Sequence, residues 1–335
     1  SRVRTIGYSF RIISHIFKAT TILPSSSALT NPDNLSLRKE RKDIPVYHPD
    51  VWVYELFDAN GEALGLFYAD YYARPSKRGG AWMSNFVDQS TLLGTKPVIY
   101  NVCNYTKGAN GAPTLLTYDE VSTLFHEFGH GLHHMLTTVG EYSVAGINGV
   151  EWDAVEQPSQ FMENYCYDRE ALAGMTRHKD SGAPLPDELY NKLIAAKNLQ
   201  SAMAMLRQLE FSLFDFRLHR AENAGKDALA VHRAVREHVA VTPAYADNRF
   251  PMSFQHIFAG GYAAGYYSYK WAEVLSADSF AAFEEEGVLN PATGVRFRDE
   301  ILAVGGSRPS MESFTAFRGR APTVDALLRH SGIQA

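Results

Sequence analysis

The sequence predicts a mostly α-helical protein with a small antiparallel β-sheet near its N-terminal side. Two observations support this fold class. Residues 51–105 carry strand patterns separated by turn residues, and from residue 117 onward apolar residues recur at helical spacing. Because 45% of the 335 residues are hydrophobic, the chain can bury a sizeable core.

The strand signals come first along the chain. Residues 51–57 and 64–71 flank the pair Asn60-Gly61, which is typical of a tight hairpin turn. Residues 97–105 are a further strand candidate. Near them, Asp70, Arg74 and Lys77 are expected to form a salt-linked structural cluster.

The helical signals occupy the rest of the chain. Thr117 and Glu120 form a capping-box pattern before a helix over residues 121–136. A second helix is expected from about residue 153 to 167, where Pro158 can kink it. Further helices are predicted over residues 186–218 (two helices), 228–238, 263–283, 296–302, 311–317 and 324–330.

The first 36 residues differ from the rest in composition. Residues 1–32 contain four basic residues and no acidic one. Three explanations fit this pattern: a targeting peptide, a surface helix over residues 6–18, or the start of a truncated chain. Residues 23–34, which are rich in Pro, Ser and Asn, indicate a linker.

Composition also narrows the class of function. The net charge of −5 argues against nucleic acid as a partner, because phosphate binding requires a basic surface. No apolar run approaches the ~20 residues that span a bilayer, so no membrane partner is expected. Cys103 and Cys166 are too few for a disulfide framework, which favours a cytoplasmic location. A single bond between the two cysteines remains an alternative.

Residues 126–130 read HEFGH, which is the pattern H-E-x-x-H. On a helix, residues four apart lie on one face, so His126 and His130 can reach the same ion. Glu127 can face a water on that ion and accept its proton. Two histidines and a carboxylate suit Zn²⁺, and we predict one such ion. The alternative is a polar helix face with satisfied histidines, which the apolar flanks of the motif disfavour.

Three residues are candidates for a third ligand. His133 lies a further turn along and would strain the helix to reach the same ion. Glu151 lies near glycines and is expected to be solvated. Glu156 lies in the next predicted helix among apolar residues, where an acid requires a cation, and we choose it. Glu163, two turns further on the same face, is either a surface acid or a partner that orients one of the histidines.

Two further segments carry glycines and aromatic residues. Residues 256–269 read HIFAGGYAAGYYSY, in which Tyr262, Tyr266 and Tyr269 are predicted to share a helical face. Their hydroxyls can donate hydrogen bonds to an oxyanion, and the alternative is an aromatic stripe in the core. Residues 146–149 (GING), between the two predicted metal-site helices, are either a mobile loop that pairs with the backbone of a substrate or an ordinary connector.

Residues 125–134 (FHEFGHGLHH) and 155–164 (VEQPSQFMEN) resemble the thimet oligopeptidase family of zinc metallopeptidases. The likeness is greatest to its oligopeptidase A branch, with dipeptidyl carboxypeptidase as a near cousin. Further matches lie at residues 41–50, 77–83, 208–217 and 256–271. Family members are about twice as long as this chain. The resemblance therefore implies a truncated zinc peptidase catalytic domain over residues 37–335, preceded by an unassigned segment and linker over 1–36.

The resemblance also implies a helical ellipsoid with a deep channel, a metal at its floor, and short peptides as substrates. In this family the ligand-bearing glutamate maps onto Glu156. The implied roles are transition-state donors at Tyr269 and Tyr262 and a substrate contact at Tyr266. His256 lies one place from the substrate-binding histidine of some relatives.

We therefore expect a cytoplasmic, monomeric, zinc-dependent metalloendopeptidase that hydrolyses short oligopeptides by means of a metal-activated water. Within the same class, the alternative is a dipeptidyl carboxypeptidase. Outside it, the alternatives are an inactive helical fragment that binds metal or peptide without hydrolysis, and a helical structural module with a chance motif.

Overall fold

A computed structural model gives the fold of the protein. It describes residues 8–10, 36–58, 60–109, 114–178, 180–243 and 245–333, with side chains from residue 41 onward. Helices form most of the regular structure, and a five-stranded sheet lies on the N-terminal side. The predicted fold class, mostly α with a small sheet, is confirmed. The predicted linker over residues 23–34 lies outside the described residues.

The described strands are, in chain order, β1 (Tyr8–Phe10), β2 (Ser36–Glu40), β3 (Trp52–Phe57), β4 (Ala63–Tyr72), β5 (Trp82–Val87), β6 (Val98–Tyr105) and β7 (Thr176–His178). Five of them form one sheet in the order β2-β3-β4-β6-β5. Neighbours are antiparallel except β4 and β6, which are parallel. The sheet is therefore mixed rather than antiparallel as predicted, because the chain reverses twice between β4 and β6 to form β5 at the edge.

Strands β3, β4 and β6 lie where the sequence predicted strands, whereas β5 was not predicted. Its side chains are mostly half-buried, as befits an edge strand, so it lacks the apolar alternation of a strand with one buried face. Strand β1 pairs with β7, so the surface helix over residues 6–18 that was one alternative is excluded at residues 8–10, and the other residues of that range lie outside the described residues.

The described helices are α1 (Tyr118–Met135), α2 (Gln157–Glu163), α3 (Arg169–Met175), α4 (Asp187–Lys197), α5 (Ser201–Leu218), α6 (Ala228–Val239), α7 (Gln255–Phe258), α8 (Ser268–Glu286), α9 (Pro291–Phe297), α10 (Ser310–Arg318) and α11 (Asp325–His330). A π-helical turn, Arg298–Leu302, extends α9. Among these, α3 and α7 are short helices that the sequence did not predict. None of the described helices combines the length and hydrophobicity needed to cross a bilayer.

Two helices begin later than predicted. Helix α2 starts at Gln157 instead of near residue 153, because Pro158 fits the first helical turn and so begins the helix rather than kinking it. Helix α8 starts at Ser268 instead of residue 263. Ala264 has a left-handed φ of 56°, which is incompatible with a right-handed helix at that point.

Helix α1 is fixed at its start and along one face. The capping box is present: Glu120 N donates to Thr117 Oγ1 over 3.2 Å, and Thr117 N donates to Glu120 Oε2 over 2.7 Å. The helix packs across the sheet, where Phe128 meets Phe67 edge to face at 5.6 Å between ring centres. A Cβ on Gly131 would lie 2.7 Å from Ile99 Cδ1, so the helix and sheet touch closely there.

The predicted salt-linked cluster is confirmed. Asp70 is buried, and its carboxylate accepts two hydrogen bonds from Arg74, at 2.7 and 2.9 Å, and one from Lys77 Nζ at 3.0 Å. The cluster lies at the end of β4, where it fixes the chain that leads toward β5. Cys103 and Cys166 are both free and buried, so they do not form the disulfide that remained an alternative.

Candidate metal centre

Helix α1 carries the two histidines of the H-E-x-x-H motif. Phe125 and Phe128 are buried, so the apolar face of the helix fixes its rotation about its own axis. His126 and His130 lie one turn apart on the opposite, partly open side, with ring centres 5.0 Å apart and planes nearly perpendicular. Both imidazoles therefore face the same space.

Glu156 reaches this space from the residue that precedes α2. It is only 5% exposed, and its Oε2 lies 3.2 Å from Nε2 of His126 and 3.2 Å from Nε2 of His130. The three ligand-type atoms lie within 4.8 Å of one another. Atoms bound tetrahedrally to zinc at about 2.1 Å lie roughly 3.4 Å apart, so the spacing fits one zinc ion.

The charges of the site also suit a cation. Burial by itself would raise the pKa of Glu156, but His130 and His126 outweigh it and hold that pKa well below its usual range. Burial lowers the pKa of His126, and hydrogen bonds to Glu156 and Glu163 reverse this and raise it well above its usual value. Two carboxylates therefore stabilise positive charge at His126, as they would at a bound metal.

Glu163 contacts one of the two histidines from the end of α2. Its Oε1 lies 2.6 Å from His126 Nδ1, and Ser122 Oγ donates a long bond of 3.4 Å to Oε2. Because Nδ1 is engaged by this carboxylate, Nε2 of His126 is the nitrogen left to face Glu156. This is the arrangement that orients a histidine ligand in metal sites.

The close approach of α1 and α2 depends on a glycine inside the motif. A Cβ on Gly129 would lie 2.7 Å from Pro158 O and 2.8 Å from Ser159 Cα, closer than real Cβ atoms come to backbone. Gly129 thus permits the helix carrying the histidines to touch the segment carrying Glu156.

We expect Gly129→Ala to destabilise the protein by about 1–3 kcal/mol, because α2 must move away to accept the methyl group. Apparent zinc affinity should fall as well, because the movement separates Glu156 from the histidines. The matched control is Gly174→Ala in α3, where a Cβ would meet nothing within 4 Å. Urea unfolding and zinc titration of both variants test this, and equal behaviour of the two would contradict it.

Glu127 lies between the two histidines in the sequence and is 6% exposed. Burial raises its pKa, and the neighbouring His126 and His130 oppose that rise only in part. No described side chain donates a hydrogen bond to it. A buried carboxylate with its lone pairs available beside a metal site is suited to accept a proton.

Tyr262 and Tyr269 lie beside Glu156. Tyr262 Oη donates to Glu156 Oε1 over 2.9 Å, and the two phenol rings stack with centres 4.9 Å apart. Burial, followed by the charge of Glu156, raises the pKa of both phenols. Both hydroxyls therefore keep their protons and remain hydrogen-bond donors. The predicted common helical face is wrong, because Tyr262 and Tyr266 precede α8, although the three rings do cluster.

Tyr266 and His256 lie against the rings of Tyr262 and Tyr269. Tyr266 is 7% exposed, and its Oη donates to Gln208 Oε1 in α5 over 3.0 Å. His256 is exposed in the short α7, with its ring centre 5.6–6.0 Å from those of Tyr262, Tyr266 and Tyr269. Of the two, His256 is the one placed at the surface of this aromatic cluster.

Residues 146–149 lie between α1 and α2 and are hydrogen-bonded to α1 and to the residue that follows β5. Ile147 N donates to His134 Nδ1 over 3.3 Å, and Asn148 Nδ2 donates to Asp88 Oδ1 over 2.8 Å. Gly146 has a φ of +62°, and a Cβ there would lie 2.5 Å from His134 Nδ1. Glycine is therefore required at the start of this turn.

The two rejected ligand candidates lie outside the cluster. His133 is buried with no hydrogen-bond partner among the described residues, and burial, followed by the charge of His130, lowers its pKa to about 3. Glu151 accepts the backbone N–H of Ser310, at the start of α10, at 3.1 Å.

Sequence reasoning missed residues that support the site. Ser159 Oγ donates to Glu156 Oε2 over 3.0 Å, and Gln160 Nε2 donates to the carbonyl oxygen of Tyr269 over 3.1 Å. Ser159 lies three residues after Glu156, so helical spacing was a signal that could have found it. The sequence gives no local sign of the contact between Gln160 and Tyr269.

The fold and the site together define a helical protein whose H-E-x-x-H helix meets an acidic residue directly before the next helix, an arrangement found in metallopeptidases. The family model described as peptidase family M3 matches residues 34–333. The chain belongs to peptidase family M3, which confirms the resemblance found in the sequence.

Three curated relatives of the chain are peptidases by name. Oligopeptidase A of Escherichia coli (strain K12) is 56% identical over 302 residues, which cover 88% of this chain and 44% of that protein. The organellar oligopeptidase A, chloroplastic/mitochondrial, of Arabidopsis thaliana is 48% identical over 304 residues, covering 87% and 38%. Dipeptidyl carboxypeptidase of E. coli is 45% identical over 301 residues, covering 88% and 44%. The chain thus spans less than half the length of these relatives.

One solved structure, titled "PZ peptidase A with inhibitor 2", shares the fold with a TM-score of 0.54 at 17% sequence identity. The match covers 79% of this chain and 42% of that one. At this identity the likeness supports the fold alone.

Proposed function

We propose that the protein is a zinc-dependent oligopeptidase that hydrolyses peptide bonds in short peptides. The observation that carries the proposal is the convergence of His126, His130 and Glu156, with Oε2 of Glu156 3.2 Å from both imidazole nitrogens. Membership of family M3 and 56% identity to oligopeptidase A support it.

In this proposal His126, His130 and Glu156 hold the ion, and Glu163 fixes the orientation of the His126 ring. Zinc in such a site lowers the pKa of a water to about 7 and polarises the carbonyl to be attacked. The proton transfers and the hydrogen bonds to the transition state are assigned to side chains of the protein.

Glu127 is the proposed general base. Its carboxylate accepts a proton from the attacking water and then donates it to the amine that leaves. Tyr269 and Tyr262 are the proposed hydrogen-bond donors to the oxygen that becomes negative in the transition state. Since Tyr262 Oη donates to Glu156 in the structure, it must turn away from that carboxylate to serve the oxyanion.

As the type of peptidase, we propose a metalloendopeptidase. The support is the higher identity to oligopeptidase A than to dipeptidyl carboxypeptidase, 56% against 45%. Removal of C-terminal dipeptides is the second candidate, since the latter relative is so named. We assign substrate contacts to Tyr266, His256 and Gly149, and we propose a monomer in the cytoplasm.

Removal of the metal is the direct test. We expect the purified chain to bind one zinc, to cleave a quenched fluorescent peptide, and to lose at least 95% of that activity with a strong chelator. Zinc should restore the activity, whereas calcium, which prefers oxygen ligands, should not. Cleavage at the full rate by metal-free protein would contradict the proposal. Stoichiometric zinc without cleavage would favour the non-hydrolytic binding fragment.

Product analysis separates the two peptidase types. Mass spectrometry of products from peptides with free and amidated C-termini shows where cleavage occurs. Internal cleavage of both peptides supports the endopeptidase. Release of C-terminal dipeptides from the free form alone would favour the dipeptidyl carboxypeptidase.

A further inference from the structure

A buried carboxylate in α5 binds the backbone of the tyrosine-glycine segment, residues 259–267. Asp215 is fully buried, and its Oδ1 accepts the N–H of Ala264 at 2.9 Å while its Oδ2 accepts the N–H of Tyr266 at 2.9 Å. His219 Nδ1, one turn along the helix, lies 3.0 Å from Oδ1. Both carboxylate oxygens are therefore used to hold one short stretch of main chain.

The backbone of that stretch has two residues with positive φ. Gly261 has a φ of +86°, and Ala264 has a φ of +56°, which residues other than glycine rarely adopt. The turn places the N–H groups of Ala264 and Tyr266 on the same side, so that one anion can bind both. Charge-assisted hydrogen bonds are about twice as strong as neutral ones, so the two bonds to Asp215 stabilise the turn that contains Ala264.

The same helix holds the segment at a second point. Gln208, two turns before Asp215, accepts the hydroxyl of Tyr266 at 3.0 Å. Tyr262 lies two residues before Ala264, and its hydroxyl lies 2.9 Å from Glu156 Oε1. Tyr269 follows the turn and stacks on Tyr262. The turn bound by Asp215 thus joins the two tyrosines that lie against the candidate metal ligand.

We propose that Asp215 is a positioning residue: it fixes the turn at 264–266 and thereby sets the phenol of Tyr262 against the metal site. This inference rests on the proposed peptidase function. It assigns a role in the reaction to a residue on a different helix, which touches neither substrate nor metal.

The test compares Asp215→Asn with Glu210→Gln. Asparagine removes the charge and turns an N–H₂ group toward a backbone N–H, so one of the two bonds to the turn is lost. Glu210 is a matched control because it is a buried acid in the same helix, bound to His232 at 2.8 Å and Arg236 at 2.9 Å. Its partners lie in α6 and, with Arg207, in α5 itself, and none belongs to the tyrosine-glycine segment.

For Asp215→Asn we expect kcat to fall about 10- to 100-fold, because a displacement of about 1 Å at a reacting site can cost that much. KM should change less than threefold, and zinc should stay at one per chain. Hydrogen–deuterium exchange should become faster in peptides covering residues 259–267. Glu210→Gln should lower the unfolding temperature while leaving kcat and exchange in that segment unchanged.

Unchanged exchange over residues 259–267 in Asp215→Asn would overturn the anchoring. Equal losses of kcat in the two variants would also overturn the proposal, since both would then reflect stability alone. A wild-type chain with zinc bound but no hydrolysis would overturn the proposed function, and the reaction role of Asp215 with it. Hydrogen–deuterium exchange is measured without substrate. It therefore tests whether Asp215 holds the turn even if the proposed peptidase function is wrong.

Discussion

Replacement of Glu127 by Gln should leave zinc bound at one ion per chain and lower peptide hydrolysis about 100- to 10,000-fold, the usual contribution of a general base. Glutamine has nearly the same shape as glutamate, so the packing of this 6%-exposed side chain is kept. It cannot accept a proton at neutral pH, and the three proposed metal ligands are untouched.

The measurement is kcat and KM on a quenched peptide, combined with zinc analysis of the same preparation. The loss should fall on kcat, because Glu127 acts on the water and the leaving amine rather than in holding the peptide. Asp119→Asn is the control: it is the same chemical change on the same helix, but at an exposed side chain in the first turn. Near-normal cleavage by Glu127→Gln would show that another group takes the proton.

The local parts of this site could be read from the sequence. The capping box marked Thr117 as the residue before α1, although the helix begins at Tyr118 and not at the predicted residue 121, and the four-residue spacing of His126 and His130 predicted their common face. Glu156 was chosen because an acid among apolar residues requires a cation, and the structure places its carboxylate beside both imidazoles. Each of these inferences depends on a sequence pattern within one or two helical turns.

Other parts depend on contacts that local patterns do not encode. The approach of α1 to α2 is set by Gly129 against Pro158, which meet only in the folded chain. Asp215 binds backbone groups 49 and 51 residues away, and a lone acid on a helix gives no sign of such a partner. Helical spacing was misleading for the tyrosines, because the left-handed turn at Ala264 interrupts the helix that the spacing implied.

Replacement of Glu156 by Gln should lower zinc affinity by more than 100-fold. A neutral amide is a poor zinc ligand and no longer balances the charge of the ion, whereas Ser159 and Tyr262 still bond to a side chain of the same size. Glu163→Gln should lower zinc affinity less, by about 10- to 100-fold, because Glu163 orients His126 without being a ligand itself. The expected order of affinity is wild type, then Glu163→Gln, then Glu156→Gln.

Competition with a chromophoric chelator gives these affinities without any assay of peptide cleavage, and circular dichroism of each variant checks the fold. The informative control is Glu151→Gln, since Glu151 is the other acid that was a ligand candidate near the start of α2 and bonds to Ser310 instead. It should bind zinc as tightly as the wild type. If Glu151→Gln lost zinc while Glu156→Gln kept it, the third ligand would be Glu151. The convergence of α1 and α2 on Glu156 would then serve packing, and the assignment of Glu127 as a base beside that ion would lose its geometric support.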